Sequence, residues 1–294
     1  MTIRDRLTDG SVPLTRSDLK VARTLLSNYP AAGLNTVAHL AQAAGVSGPT
    51  VVRFVGRLGF EGYPDFQRAL LGEVQERMSS PLSMMNAGKG AVAPDNIYLE
   101  SMRSAGHAVE TTMSMVPSAS FDKAVELAID PSLSVHCIGG RFSGYLAGML
   151  WSHLKQLRPG CHWVQGARSD QVDALVDLGR RSLVIVYDYR RYQIDTVQFA
   201  RTAAAQGAKI VLFTDPYASP IAGVADVILT APVESLSPYD TMVPALAQTE
   251  ALIAALTLRQ ASKSRRRIEQ MEALRHASSV TEDAWDVTAQ GETE

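Results

Sequence analysis

Between positions 47 and 57 the chain sets Ser47, Thr50, Arg53 and Arg57 at spacings of three and four residues. In a helix those four share a side. Hydroxyls near a helix N-terminus donate to phosphate, and a guanidinium forks onto a phosphate or onto the two acceptors of a guanine edge. The chemistry on offer is recognition of a polyanion. The surrounding charge points the same way: no Asp or Glu occurs in the 42 residues between Asp18 and Glu61, whereas 30 acids in 294 residues predict about 4. That window holds Lys20, Arg23, Arg53 and Arg57, and a surface that faces phosphates excludes carboxylates. The candidate DNA-contacting set is therefore Ser47, Thr50, Arg53, Arg57 and Lys20.

A second set stands in three short turns. GGRFSG supplies Gly139, Gly140, Arg141 and Ser143; DYRRYQ supplies Asp188, Arg190 and Arg191; TDPYASP supplies Asp215 and Ser219. Paired glycines let backbone approach a ligand closely, and arginine forks hold carboxylate or phosphate. These turns predict a small-anion site made of Gly139, Gly140, Arg141, Ser143, Asp188, Arg190, Arg191 and Ser219. The competing reading is that the arginines pair with Asp188, Asp195 or Asp215 and merely hold the loops.

The elements that must position both sets follow from periodicity. In TVAHLAQAAGVSGPTVVRFVGRLGF, Thr36 can cap a helix running to about Ala44, Gly45 supplies a turn conformation that side chains resist, and Ser47 can cap the next helix with Pro49 in its first turn. Val51, Phe54, Val55 and Leu58 form its inward stripe. Ala41, Gly45 and Val51 fall where a helix-turn-helix needs a small residue, a glycine and an apolar anchor. Residues 13 to 78 read as short helices throughout. Beyond them, 132 to 138, 182 to 188, 209 to 215 and 225 to 232 are Val/Ile/Leu-rich runs of the kind buried on both faces, with another strand ending near Gln165. They alternate with helical patterns such as 145 to 157 and 196 to 207, and a helix from about 240 to 275 follows. Such alternation predicts a doubly wound parallel sheet. The fold class is thus α plus α/β: an all-α helix-turn-helix bundle at 1–78, a Ser/Gly/Pro/Ala-rich linker at 79–95, an α/β effector-binding and oligomerisation domain at 96–276, and an acidic tail at 277–294.

Other features narrow the function. Neither G-x-G-x-x-G nor G-x-x-x-x-G-K-[ST] is present, which speaks against dinucleotide and P-loop sites. His136-Cys137 and Cys161-His162 resemble a metal quartet only on paper, since strand neighbours point to opposite faces, so no metal is expected, and no cofactor. Trp151, Phe142 and Tyr145 read as helix packing, and KSRRR at 263 to 267 reads as cations suiting a helix C-terminus. Two cysteines build no disulfide framework, the first residues lack the apolar core of a signal peptide, and no run of eighteen apolar residues occurs, which together predict a reducing cytoplasm and no membrane partner. A formal charge of −2 means any nucleic-acid site must be local.

The segment LTRSDLKVARTLL followed by LNTVAHLAQAAGVSGPTVVRFVGRLGFEGYPDFQRAL resembles the N-terminal domain of RpiR/MurR-type transcriptional regulators. The resemblance rests on Ser47, Thr50, Val51, Arg53 and Phe54 (S-x-x-T-V-x-R-F), then Leu58, Gly59, Phe60, Gly62, Tyr63 and Phe66 (L-G-F-x-G-Y-x-x-F). It implies a C-terminal SIS (sugar isomerase) domain, which the predicted βα pattern fits, and a regulator, repressor or activator, that binds an operator in double-stranded DNA and senses a metabolite. SIS domains of this type usually carry G-x-G-x-S in the first turn and S-x-S-G-x-T in the second; here Asp188 and Tyr189 stand where serines would be, so arginine forks replace hydroxyls in the anion site. A lone recognition helix buries little surface, so a homodimer or homotetramer on a two-fold operator is expected, paired through the late helix. Two other readings stand beside this one: a phosphosugar isomerase or hydrolase using Glu250 as base, and an adaptor whose helical bundle docks a protein.

Overall fold

The computed structural model describes residues 3–8, 12–27, 29–77, 80–86, 95–217 and 219–278. Up to residue 77 it forms α1 (Ile3–Thr8), α2 (Arg16–Ser27), α3 (Ala31–Leu34), α4 (Val37–Ala44), α5 (Gly48–Arg57) and α6 (Tyr63–Arg77). Helix α1 lies ahead of the region where periodicity predicts helices. Local chemistry fixes each end. Thr15 and Asp18 cap α2 reciprocally, because the Thr15 N–H and hydroxyl donate to the Asp18 carboxylate at 2.8 and 2.6 Å. Thr36 caps α4 through the His39 N–H, and Gly45, at φ +62°, ends it with the Val46 N–H reaching back to the Ala41 carbonyl. A side chain at that φ would be strained, which is why the turn of the helix pair carries glycine. Val21, Leu25, Leu40, Phe66 and Leu70 bury together with the predicted stripe Val51, Phe54, Val55 and Leu58.

The Ser/Gly/Pro/Ala-rich stretch predicted as a connector contains a short helix, α7 (Pro81–Asn86); its residues 87–94 lie outside the described ones. There follow α8 (Ile97–Met115), α9 (Ser118–Ile129), β1 (Ser134–Gly139), α10 (Gly144–Leu157), β2 (Cys161–Trp163), α11 (Arg168–Ala174), β3 (Ser182–Tyr187), α12 (Ile194–Ala205), β4 (Lys209–Thr214), β5 (Val227–Thr230), α13 (Val243–Arg259) and α14 (Ala261–Ala277). The strands pair in parallel in the order β2-β1-β3-β4-β5. Side chains alternate between two cores: Val135, Cys137, Leu183, Ile185, Tyr187, Val211 and Phe213 pack with α9, α10 and α13, while Ile138, Val184, Val186, Ile210 and Leu212 pack with α12. Burial on both sides is the physical reason that these strands read as unbroken apolar runs. After β1 the chain enters α10 on one face, and after β3 it enters α12 on the other. The crevice between these diverging turns is where open α/β sheets take ligands.

One helix was expected from about 240 to 275, and the structure corrects this: the chain breaks at Gln260, so the basic KSRRR run belongs to the start of α14 and not to a helix end. Its side chains serve a different terminus. Arg267 Nε donates to the Lys155 carbonyl at 2.9 Å and the Ser264 hydroxyl to that of Leu157, satisfying carbonyls in the last turn of α10. The tail predicted at 277–294 lies outside the described residues beyond position 278. Among the described residues, no helix is long and apolar enough to cross a membrane.

Candidate functional site

Helix α5 buries Val51, Phe54 and Val55 and turns Pro49, Val52, Arg53 and Gly56 outward. Ser47 has the extended backbone of an N-cap, but its hydroxyl does not cap the helix as predicted: it lies 2.9 Å from Thr50 Oγ1, to which Arg53 Nη2 donates at 3.3 Å. Ser47, Thr50 and Arg53 thus form one polar string on the outward side. Arg57 is a correction. Its guanidinium donates to Asp18, which is 2% exposed, so it acts as a strut from α5 to α2 and not as a free cation. Lys20 is exposed on α2. Asp18, which bounds the acid-free window on its N-terminal side, is buried and paired with Arg57, which keeps its charge off the outer face.

The residues of the second signature are structural. Leu58 and Phe66 are buried, Phe60 and Phe66 meet edge to face with ring centroids 5.5 Å apart, and the Tyr63 hydroxyl donates to the Gly33 and Asn35 carbonyls at 3.1 and 3.0 Å. Burial pushes the Tyr63 phenol up to about 12, so it stays a donor. These contacts lock α6 against the end of α3 and hold the helix pair from behind.

The crevice beyond β1 and β3 contains a cavity of about 630 Å³, within the range of small-molecule sites. It is lined from the first turn by Gly140, Arg141, Phe142 and Ser143, from the second by Asp188 to Gln193, from the segment before α13 by Pro238, Tyr239, Asp240 and Met242, and from α7 by Pro81 and Met84. Gly139 stands behind the first turn: a Cβ there would meet the backbone of Ser143 and Gly144 at 2.8 Å, so the turn folds back on the strand only with glycine. The Ser143 hydroxyl donates to the Tyr187 carbonyl at 2.7 Å and accepts from the Gly140 N–H at 2.9 Å, which spends its one proton inside the fold. Arg190 is likewise spent. Its side chain is 4% exposed and forks onto Asp240, with Nε 2.9 Å from both carboxylate oxygens, while its N–H donates to Asp215 at 2.6 Å. Asp188 is buried and accepts from the Ser219 hydroxyl. Burial pushes its carboxyl up to about 7, against the opposing pull of that hydrogen bond. Arg141 and Arg191 remain exposed, and among the described residues neither has a carboxylate within ion-pair distance.

Comparison with known proteins places both halves. Residues 1–77 match the model of the helix-turn-helix domain of the rpiR family, and residues 130–255 match that of the SIS domain. The chain belongs to the RpiR-type regulators. It is 26% identical over 257 residues to the HTH-type transcriptional regulator HexR of Pseudomonas aeruginosa, covering 84% of this chain and 86% of that protein. An uncharacterised HTH-type transcriptional regulator of Providencia stuartii is 37% identical over 67 residues, which is 23% of this chain and 24% of that one. Among solved structures, the sugar isomerase domain of an RpiR transcription factor from Sphaerobacter thermophilus superposes with a TM-score of 0.57 at 23% identity, covering 60% of this chain and 97% of that one. The Vibrio vulnificus NanR protein, solved with ManNAc-6P, gives a TM-score of 0.55 at 18% identity over 94% of this chain and 98% of its own. This RpiR-type chain is accordingly a DNA-binding transcriptional regulator.

Within that regulator the predicted sites divide unevenly. Gly140, Arg141, Ser143, Asp188, Arg190 and Arg191 all line the cavity, whereas Ser219 sits behind Asp188 and does not. Glu250 is exposed on α13 and away from the cavity lining, which removes it as a base acting there. Trp151 packs as predicted, its indole N–H bonding the Cys161 carbonyl at 3.1 Å. Phe142 and Tyr145 do not: they are 57% and 74% exposed beside the first turn. His136 and His162 stack with centroids 4.7 Å apart while Cys137 points into the opposite core, and the described residues hold no cluster of three metal-ligating side chains. Sequence reasoning missed Asp240, Tyr239, Pro81 and Met84 as cavity residues. Nothing in SPYD or PLSM signals a partner so far along the chain.

Proposed function

We propose that this regulator reads an operator in duplex DNA with Ser47, Thr50 and Arg53 of α5, supported by Lys20 on phosphate, and that a small anionic metabolite related to phosphorylated sugars binds in the cavity between the β1 and β3 turns. Arg141 and Arg191 hold the anion. The observation that carries the effector reading is that these two guanidiniums stand at a sheet-end cavity without a carboxylate partner among the described residues, while neighbouring Arg190 is neutralised by Asp240. Residues 1–78 then form the DNA-binding unit, 79–95 the connection, and 96–276 the sensing and self-associating unit of a homo-oligomer in the cytoplasm. Sensing, not turnover, fits the polar groups: Ser143 and Asp188 are held by internal hydrogen bonds, and Glu250 is remote from the cavity lining. Pro81 and Met84 supply the coupling route, since an occupant touches the segment that follows the last helix of the DNA-binding unit.

Calorimetry of the full chain against a panel of hexose phosphates and sugar acids tests this. At least one compound should bind wild type and lose about a hundredfold in affinity in Arg141→Ala/Arg191→Ala, each charged hydrogen-bonding group contributing roughly tenfold. Absence of binding across the panel, or binding that survives the double substitution, would overturn the effector site.

A further inference from the structure

The outward side of α5 is not uniformly polar. Pro49, Val52, Arg53 and Gly56 lie within an arc of roughly 100° opposite the buried stripe. Val52 is 45% exposed at one edge of that arc and has no place in the helical core. Gly56 sits one turn later, in the last turn of the helix, where glycine is still a poorer helix former than alanine. A Cβ built at Gly56 meets nothing within 4 Å, so no contact inside the protein requires its absence. The outward face of the helix therefore carries one apolar side chain and one missing side chain beside the open Arg53, with the nearby Asp18 buried and paired. Duplex DNA explains both. The thymine 5-methyl is the one apolar group that base pairs offer in the major groove, and a helix seated there needs its closest approach free of side chains.

We propose that Val52 packs on a thymine methyl in each operator half-site, next to the base or phosphate taken by Arg53, and that Gly56 lets the groove close onto the helix. This rests on the reading of α5 as the DNA-contacting helix and adds the residue that sets a base preference. It assigns Val52 a role separate from the polar string of Ser47, Thr50 and Arg53.

The experiment selects duplexes from a random-sequence pool with the full-length protein, then replaces each thymine of the selected site by deoxyuridine, which deletes only the methyl. Wild type should lose about fourfold in affinity at one thymine per half-site, the change expected of one buried methyl group. Val52→Ala should bind the thymine and uracil sites equally, with an unchanged Tm because the residue is exposed. Uracil that is neutral at every position, or that costs Val52→Ala as much as wild type, would overturn the proposal. Gly56→Ala should raise Tm yet weaken operator binding; unchanged or tighter binding would overturn the close approach. Selection that enriches no duplex is a separate outcome, and it would overturn the DNA-reading face itself.

Discussion

The helical domain and the α/β domain each carry arginines that look interchangeable in sequence and are not. On α5, Arg53 is open and Arg57 is spent on Asp18; in the turn after β3, Arg191 is open and Arg190 is spent on Asp240. The two cases differ in how the division arises. On a helix the buried stripe dictates which direction is outward, so Arg53, nearly opposite Val51 and Val55, is outward by geometry, and Arg57, at the edge of that face, can turn toward a neighbour. In a turn no period exists, and two adjacent arginines part according to which loop passes by. Helical sites are thus set mainly by their own segment, and turn sites by segments distant in sequence.

The sharpest way to break this comparison is at the buried fork. Asp240→Ala leaves the Arg190 guanidinium, 4% exposed, without its carboxylate, and should destabilise the protein by about 3 kcal/mol, read by denaturant unfolding. Arg191→Ala should change stability by less than about 0.5 kcal/mol, and equal losses in the two variants would erase the distinction between spent and open arginines. Next in size is Arg53→Ala, which should cost about 1 to 3 kcal/mol of operator affinity, with relaxed preference if it meets a base or a uniform loss if it meets phosphate. Its Tm should not move. Arg57→Ala should do the reverse, lowering stability by about 1 kcal/mol, discounted because the arginine side is 40% exposed, and weakening operator binding less than Arg53→Ala does. If Arg57→Ala proves the more damaging to DNA affinity at unchanged Tm, the strut assignment fails.

The smallest effect is a slope with pH, and it belongs to the α/β domain alone. Asp188, pushed up to about 7, holds its proton more tightly folded than unfolded, so its contribution to stability is fully present below about pH 4 and is lost as pH rises through about 7. Between pH 6.5 and 8 the loss should be under about 1 kcal/mol, and Asp188→Asn should flatten it. Anion binding beside Asp188 should weaken over the same interval, because the ionised carboxylate in the cavity lining repels an anion. His136 runs oppositely: burial lowers it to about 4, so its contribution is present above about pH 6.5 and is lost as pH falls toward 4. Chemical unfolding of Asp188→Asn and His136→Gln across pH 4 to 8 separates the two, and parallel curves for wild type and Asp188→Asn would remove Asp188 from the account.

Much of this was legible in the residues because it depended on short-range rules. Thr36, Gly45, Ala41 and the Val51–Phe54–Val55–Leu58 stripe state the helix-turn-helix through caps, a left-handed turn and a 3.6-residue period. The strand runs state a sheet buried on both faces. The late helix was misread as one element because Gln260 is no recognisable breaker, and KSRRR was assigned to the wrong helix end for that reason. Ser143 and Ser219 read as ligand donors, but their hydroxyls are committed to Tyr187 and Asp188, partners 44 and 31 residues away. Phe142 and Tyr145 read as packing because aromatic residues usually pack; their exposure follows from the position of the turn at the open end of the sheet.

By itself, the sequence determined the two-part architecture, the helix-turn-helix that carries the proposed DNA-reading residues and the strand ends where the cavity lies, since each follows from periodicity and turn chemistry within a few residues. Only the tertiary structure decided which charges stay available. Asp18 reaches Arg57 across 39 residues and Asp240 reaches Arg190 across 50, and such pairs form because the fold brings them into a low-dielectric environment where an unpaired charge would be costly.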